Sequence, residues 1–348
     1  MTQTTAPVDE LSGVVRKTQM PADLKENILT RLSQVAGLAG SDTFLPEFDR
    51  INKYVEWVLS LPWEKRTKDV LDLNFTKEVL DKYHFGLEEI KDRILEYVSI
   101  MKLKVEKGEG DDVLRAPILC FVGLVGTGKT TIAKSIAEAM GRNFARIPFG
   151  GMGDPLDLRG QSKMHPEAEP GKIIKALRDT GAKNSVILLD EIDRVTAEGR
   201  ASIMGVLVEL LDPEQNKSFV DHYIDYPVDL SEILFVATAN NTNNLATAVL
   251  DRLEPIQMPS YTDVEKIAIG KKYMLPKIIK QSGISEDAIT IEDEVWSSVV
   301  RPLGFDAGMR TLQRTVQGVV RKVAKLIVEG KETHVTVTPQ NVKEFLPQ

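Results

Sequence analysis

The chain has 348 residues, 42% of them apolar and 27% charged, enough to bury the cores of two or three domains. Its 44 basic and 51 acidic side chains leave a net charge of −7, which argues against a generic duplex-DNA or anionic-membrane binder. One cysteine, Cys120, excludes an intrachain disulfide and a multi-cysteine metal site, and suits a reducing, cytoplasmic compartment.

The start, MTQTTAPVDE, has neither the basic nor the apolar part of a signal peptide, and no apolar run exceeds about seven residues, as in Ala116–Val122. Residues 1–20 are polar, lack periodicity and are read as a flexible arm. After Pro21, Leu24, Ile28, Leu32 and Val35 recur at helical spacing. Gly37, Gly40 and Ser41 break that helix, and Phe48, Ile51, Val55, Val58 and Leu59 mark a second one ending at Leu61-Pro62-Trp63. This hairpin of about 40 residues is too small to hold a core alone, so it should pack on later parts of the chain or on a neighbouring chain. Residues 64–85 read as a linker with a short helix, and 87–105 as a long amphipathic helix followed by a charged surface turn at 107–112.

Alternation then begins. Apolar strands are expected at 118–122, 144–148, 186–189, 233–237 and 255–258, with helices at about 130–140, 172–180 and 200–211. The glycine-rich stretch 149–171 is expected to be irregular. Continuous apolar strands alternating with helices mean an α/β fold, a parallel sheet covered on both faces. From Pro259 onward three helices are expected, at 262–281, 292–300 and 307–329, with one β-like stretch at 335–338. The chain therefore divides into an arm (1–20), a helical segment and linker (21–85), an α/β domain (86–258) and a smaller helical domain (259–348).

Gly123-Leu124-Val125-Gly126-Thr127-Gly128-Lys129-Thr130 fits the phosphate-loop (Walker A) pattern, and it lies between a predicted strand and a predicted helix. Glycines let backbone amides turn toward phosphate oxygens. Lys129 neutralises the β and γ phosphates, Thr130 ligates magnesium, and Thr131 continues the helix whose N-terminal dipole favours the anion. Val186–Leu189 delivers Asp190 and Glu191 to the carboxyl end of a strand, where open α/β sheets bind ligands. In that Walker B position Asp190 would hold magnesium and Glu191 would orient and polarise the attacking water. Phe235–Asn240 ends another strand at the same edge. From spacing alone, Asn240 is equally a γ-phosphate or water ligand and an ordinary strand-end turn.

Together with Asp190-Glu191-Ile192-Asp193, Leu211-Asp212-Pro213-Glu214-Gln215-Asn216, Asp221-His222-Tyr223 and Leu234–Asn240, these motifs resemble the ATPase module of the Lon family of AAA+ proteins over about residues 21–346. The resemblance implies a P-loop AAA+ core with a C-terminal helical lid, ATP or ADP with Mg2+, and a homo-oligomeric ring, most simply a hexamer. It implies that Asn240 is the first sensor and that Arg252 is an arginine finger reaching into the neighbouring subunit's site. It makes Arg310 the second sensor, and has His84, Phe85 and Gly86, after Tyr83, flank the adenine. An arginine supplied in trans would stabilise charge on the transferring phosphoryl group.

Two departures accompany the resemblance. Where the family's channel loop grips substrate with an aromatic–aliphatic pair, this chain reads Lys163-Met164-His165-Pro166. A second loop has Ala201-Ser202-Ile203 where the family has Gly-Asp-Pro. Either these loops have drifted, or the substrate differs and the chain does not thread polypeptide. The family's Ser–Lys peptidase dyad lies in a further C-terminal domain, and this chain is expected to lack it. Such an ATPase has three competing uses: a protein-remodelling or unfolding motor, the ATPase part of a split or truncated protease partnered by a peptidase chain, or a non-hydrolytic assembly switch. A DNA motor or clamp loader is disfavoured by charge. Cys120 reads as a packed small hydrophobe, and the four histidines lack metal-ligand spacing.

Overall fold

The computed structural model describes residues 5–107, 118–165, 167–302 and 308–346. The expected turn at 108–112, Pro166 of the channel loop and Ala307 beside Arg310 lie outside the described residues. Five helices precede the first described strand: α1 (Ala6–Lys17), α2 (Ala22–Ala36), α3 (Phe44–Ser60), α4 (Leu73–Tyr83) and α5 (Glu88–Glu106). The α/β region runs β1 (Ile118–Val122), α6 (Lys129–Ala139), β2 (Phe144–Pro148), α7 (Leu156–Arg159), α8 (Lys172–Thr180), β3 (Val186–Asp190), α9 (Arg200–Leu210), β4 (Phe219–Val220), β5 (Pro227–Val228), β6 (Leu234–Ala239), α10 (Thr247–Leu250) and β7 (Leu253–Gln257). The helical region holds α11 (Asp263–Ile269), α12 (Leu275–Ser282), β8 (Ile289–Ile291), α13 (Trp296–Val300), α14 (Gly308–Val328), β9 (Val335–Val337) and α15 (Val342–Phe345).

Five parallel strands form the central sheet in the order β2-β3-β6-β1-β7. Alternate residues serve opposite faces, as strand geometry requires. Cys120, Val122, Ile187 and Leu189 join a core with α8, α9 and the N-terminal helices. Leu119, Phe121, Val186 and Leu188 join another with α4, α5 and α6. Both faces are covered, so the strands are apolar along their whole length. The C-terminal helices and the β8–β9 pair enclose a third core around Trp296 and the Val316, Val319, Val320 and Val323 stripe of α14.

The helical hairpin α2–α3 packs on the α/β region. Tyr54 Oη donates to Ile224 O at 3.0 Å, Trp63 meets Tyr226 edge-on, and the Arg178 guanidinium lies 3.9 Å over Trp57. The linker is tied to the sheet by Arg142, whose Nε and Nη2 donate to the Asp69 carboxylate at 2.8 and 2.6 Å.

The structure corrects several expectations. Residues 6–17 are a helix, not a flexible arm. Val8 and Val15 are buried and Leu11 is partly buried, all on one face against α2 and α3. Asp9 in the first turn and Arg16 and Lys17 in the last suit the helix dipole. The helix expected at 262–281 is interrupted by a π-helical turn, Gly270–Met274. Pro276 cannot donate to the ladder there, and Trp296 packs so tightly that a Cβ on Gly270 would lie 2.4 Å from its ring. The helix expected at 292–300 begins as a 3-10 turn, Asp293–Val295. The stretch 149–171 holds the one-turn helix α7, and the short strands β4, β5 and β8 were not expected.

If α1 is docked, Val15→Ala should lower the urea midpoint by roughly 1–2 kcal/mol equivalent, through lost burial and a small cavity. An unchanged midpoint would mean that α1 contributes nothing to the fold.

Candidate active site

The carboxyl ends of β1, β3 and β6 converge because the three strands are neighbours in the sheet. β1 leads into a loop that turns through Gly126 and Gly128 at φ +90° and +97°, conformations that L side chains rarely adopt. Thr127 Oγ1 donates back to Leu124 O at 3.0 Å, and α6 begins at Lys129. The Lys129 ammonium donates to Gly123 O at 2.5 Å, Leu124 O at 3.0 Å and Asn240 Oδ1 at 3.2 Å. Burial pulls its pKa down, while Glu191, Asp190 and Asp193 oppose that shift.

Asp190, at the end of β3, has a side chain only 5% exposed. Its Oδ1 accepts from Thr238 Oγ1 at 2.5 Å and lies 3.5 Å from Thr130 Oγ1. Its Oδ2 accepts from Arg146. Glu191 follows in the left-handed region, at φ 57° and ψ 49°, a costly conformation for a non-glycine residue. Its amide donates to Thr238 Oγ1 at 2.8 Å. The backbone thus turns sharply at the point where the two carboxylates diverge. Asp193 is buried, and its Oδ1 accepts from the Asn240 amide at 3.0 Å. The Asn240 side-chain Nδ2 is buried without a hydrogen-bond partner.

A cavity of about 300 Å³ opens above this edge, between the loop and the helical region. Val125 to Thr131, Asp190 and Glu191 line one side. Tyr83, His84, Phe85, Tyr261, Ile269, Tyr273 and Met274 make a largely apolar wall. Met309, Arg310 and Gln313 of α14 close it. Arg310 is close enough that a Cβ on Gly126 would lie 3.4 Å from its Cγ. His84 is buried, with Nε2 3.0 Å from Ser135 Oγ. Gly86 adjoins this segment at φ +63° but does not line the cavity. Gly123 and Leu124 contribute carbonyls to Lys129 rather than walls.

Arg252 stands apart from this cavity. Its Nη2 donates to Asp212 Oδ2 at 2.8 Å and its Nη1 to Ala248 O at 2.7 Å. That ion pair is the main reason the Asp212 pKa is lowered. The segment leading from Gly160 to Gly171 is fixed at its end by Asp221, which accepts from the Gly171, Tyr223 and Ile224 amides at 2.7–3.0 Å. Lys163 turns back onto Asp225 at 2.8 Å, and Met164 is 74% exposed. Cys120 is buried beneath the loop, and desolvation pushes its thiol up to about 12. No helix among the described residues is long and apolar enough to cross a membrane.

The sequence reading missed Arg146, Thr238, Asp193, Asp212, Tyr261 and Tyr273 as parts of the site. Asp193, Asp212 and Thr238 lie inside the quoted motifs. The parts played by Arg146 and Thr238 become visible only with the strand order.

The residues fit a polyphosphate nucleotide with a divalent cation. An ammonium, a hydroxyl, a carboxylate and an unpartnered buried amide converge on a turn that only glycines make easily.

Residues 119–261 match the AAA family, the ATPase family associated with various cellular activities, and residues 280–335 match the Lon protease AAA+ ATPase lid domain. The chain is 41% identical to the Lon protease of Endomicrobium trichonymphae over 343 residues, 97% of this chain and 41% of that protein. It is 40% identical to the Lon protease of Lawsonia intracellularis over 339 residues, 97% of this chain and 40% of that protein. It is 39% identical to Lon protease 2 of Thermus thermophilus over 344 residues, 97% of this chain and 42% of that protein. The chain spans about two fifths of the length of these curated relatives.

Burial, with the Lys91 ammonium second, pushes the His84 pKa down to about 4. The unfolded value is near 6.5, so the unfolded chain binds more protons between the two. The stability His84 contributes is complete above about pH 6.5 and falls as pH drops toward 4, by on the order of 3 kcal/mol in all. His84→Gln should therefore flatten the dependence of the urea midpoint on pH between about 7 and 5. Equal slopes for the two proteins would contradict the assignment.

Proposed function

This chain belongs to the Lon-type AAA+ ATPases, and we propose that it binds ATP with Mg2+ in the cavity between the phosphate loop and the lid and hydrolyses it. The observation that carries the proposal is the convergence of Lys129, Thr130, Asp190, Glu191 and Asn240 at one sheet edge. Lys129 would exchange its loop carbonyls for β- and γ-phosphate oxygens, whose negative charge would offset the desolvation that now lowers its pKa. Thr130 and Asp190 would hold the cation. Bound there, magnesium neutralises charge on the β- and γ-phosphate oxygens. Glu191, turned out of the strand by its left-handed backbone, would orient the attacking water and take its proton. The unpartnered Asn240 Nδ2 is a ready donor to the γ-phosphate or to that water. Neutral His84 with Phe85, Tyr261, Tyr273 and Met274 would supply an apolar seat for the base, and Arg310 would report from the lid.

Arg252 is read as acting on the neighbouring subunit, in a homo-oligomeric ring. Its absence from the lining of its own cavity, and its pairing with Asp212, support that reading. The output is proposed to be remodelling or unfolding of protein substrates. A second reading, an ATPase that drives a peptidase, is favoured by the relatives' names.

Glu191→Gln should bind ATP as the wild type does and hydrolyse it at least about 100-fold more slowly. Undiminished turnover would remove Glu191 from its role. Mixed rings of inactive Arg252→Ala and Glu191→Gln subunits should recover part of the hydrolysis. No recovery, in rings shown to mix, would count against a finger in trans. Stimulation of hydrolysis by unfolded protein would support the motor reading, and nucleotide binding without any hydrolysis would favour a switch.

A further inference from the structure

The hold on Asp190 is lopsided, and that asymmetry suggests a role for a residue outside the motifs. β2 is the edge strand beside β3, in the register Arg146↔Leu188 and Pro148↔Asp190. Phe149 N donates to Asp190 O at 2.9 Å, so the two strand ends cannot slide. From two positions below, the Arg146 side chain reaches up to the carboxylate. Its Nε lies 2.6 Å and its Nη2 2.5 Å from Oδ2. Both nitrogens engage that single oxygen. The other oxygen, Oδ1, faces Thr130 at 3.5 Å and accepts a hydrogen bond from the Thr238 hydroxyl at 2.5 Å. Thr238 in turn accepts the Glu191 amide.

We propose that Arg146 is a positioning residue for the metal site. By holding Oδ2 alone it fixes the rotation of the Asp190 carboxylate and keeps Oδ1 directed at Thr130, the hydroxyl that shares the cation. Thr238 locks the same rotation from the opposite side and couples it to the Glu191 turn. An exposed ion pair without such a role contributes little and directs nothing. Here one partner is 51% exposed but the other is 5% exposed, and the carboxylate is held at both oxygens. A carboxylate free to rotate would present Oδ1 to the cation only part of the time, so the metal would bind more weakly although every ligand remained.

This rests on Thr130 and Asp190 holding the cation, and the test separates the two claims. Binding of fluorescently labelled ADP is followed while Mg2+ is titrated, in the wild type and in Asp190→Asn, Arg146→Met and Arg146→Lys. Thermal unfolding midpoints confirm that each variant is folded. Arg146→Met should raise the Mg2+ concentration for half-maximal tightening roughly three- to tenfold, as expected for loss of a charge-assisted hold on a ligand. Its ADP affinity in EDTA should stay unchanged, and Arg146→Lys should recover part of the shift. If Asp190→Asn shifts the Mg2+ dependence and Arg146→Met does not, the positioning role is wrong. Weakening by the same factor with and without Mg2+ would reduce Arg146 to a structural residue and overturn the role. If Asp190→Asn itself leaves the Mg2+ dependence unmoved, the metal assignment has failed, and the role of Arg146 with it.

Discussion

Lys129 is 7% exposed, and its ammonium is held by two carbonyls of its own loop and by Asn240 Oδ1. Burying an ammonium is costly unless acceptors surround it. Here they come from two chain segments, with offsetting charges from a third, that only the fold brings together. The loop carbonyls require the positive-φ glycine turn, which requires β1 to end where it does. Asn240 requires β6 beside β1. Asp190, Glu191 and Asp193, the charges that offset its desolvation, require β3 beside β6. The strand order is therefore a precondition for keeping that cation charged at the sheet edge.

The helical region completes the site rather than merely covering it. Arg310 approaches the loop at Gly126, and Tyr273 Oη donates to Asp81 O at 3.2 Å from the opposite wall. Tyr273 and Met274 lie in the π-helical turn, so an irregular ladder presents their side chains to the cavity. On the opposite flank, Asp221 fixes the end of the 160–171 segment through the Gly171 amide.

Local patterns made most of this legible. The phosphate loop, Asp190-Glu191 and the apolar strands are contiguous signals, and the structure places them where spacing implied. Three kinds of feature were hidden. The first depends on strand order: Arg146 and Thr238 look like ordinary strand residues until β2 and β6 flank β3. The second depends on tertiary packing: α1 looks polar in sequence, and the burial of Val8 and Val15 against α2 and α3 is what orders it. The third is short pairing: β4 with β5 and β8 with β9 involve two or three residues each, too few for a period to show. Asn240 was ambiguous by spacing, and its unpartnered buried Nδ2 beside Lys129 now favours a ligand.

The central claim is that Lys129 organises a nucleotide site at this edge. Calorimetric titration of Mg-ADP into the wild type and into Lys129→Met tests it most directly. Binding should be saturable, with one nucleotide per chain, and weakened roughly tenfold or more in the variant, as expected for loss of charge-assisted bonds to phosphate. Equal affinity in the two folded proteins would contradict it.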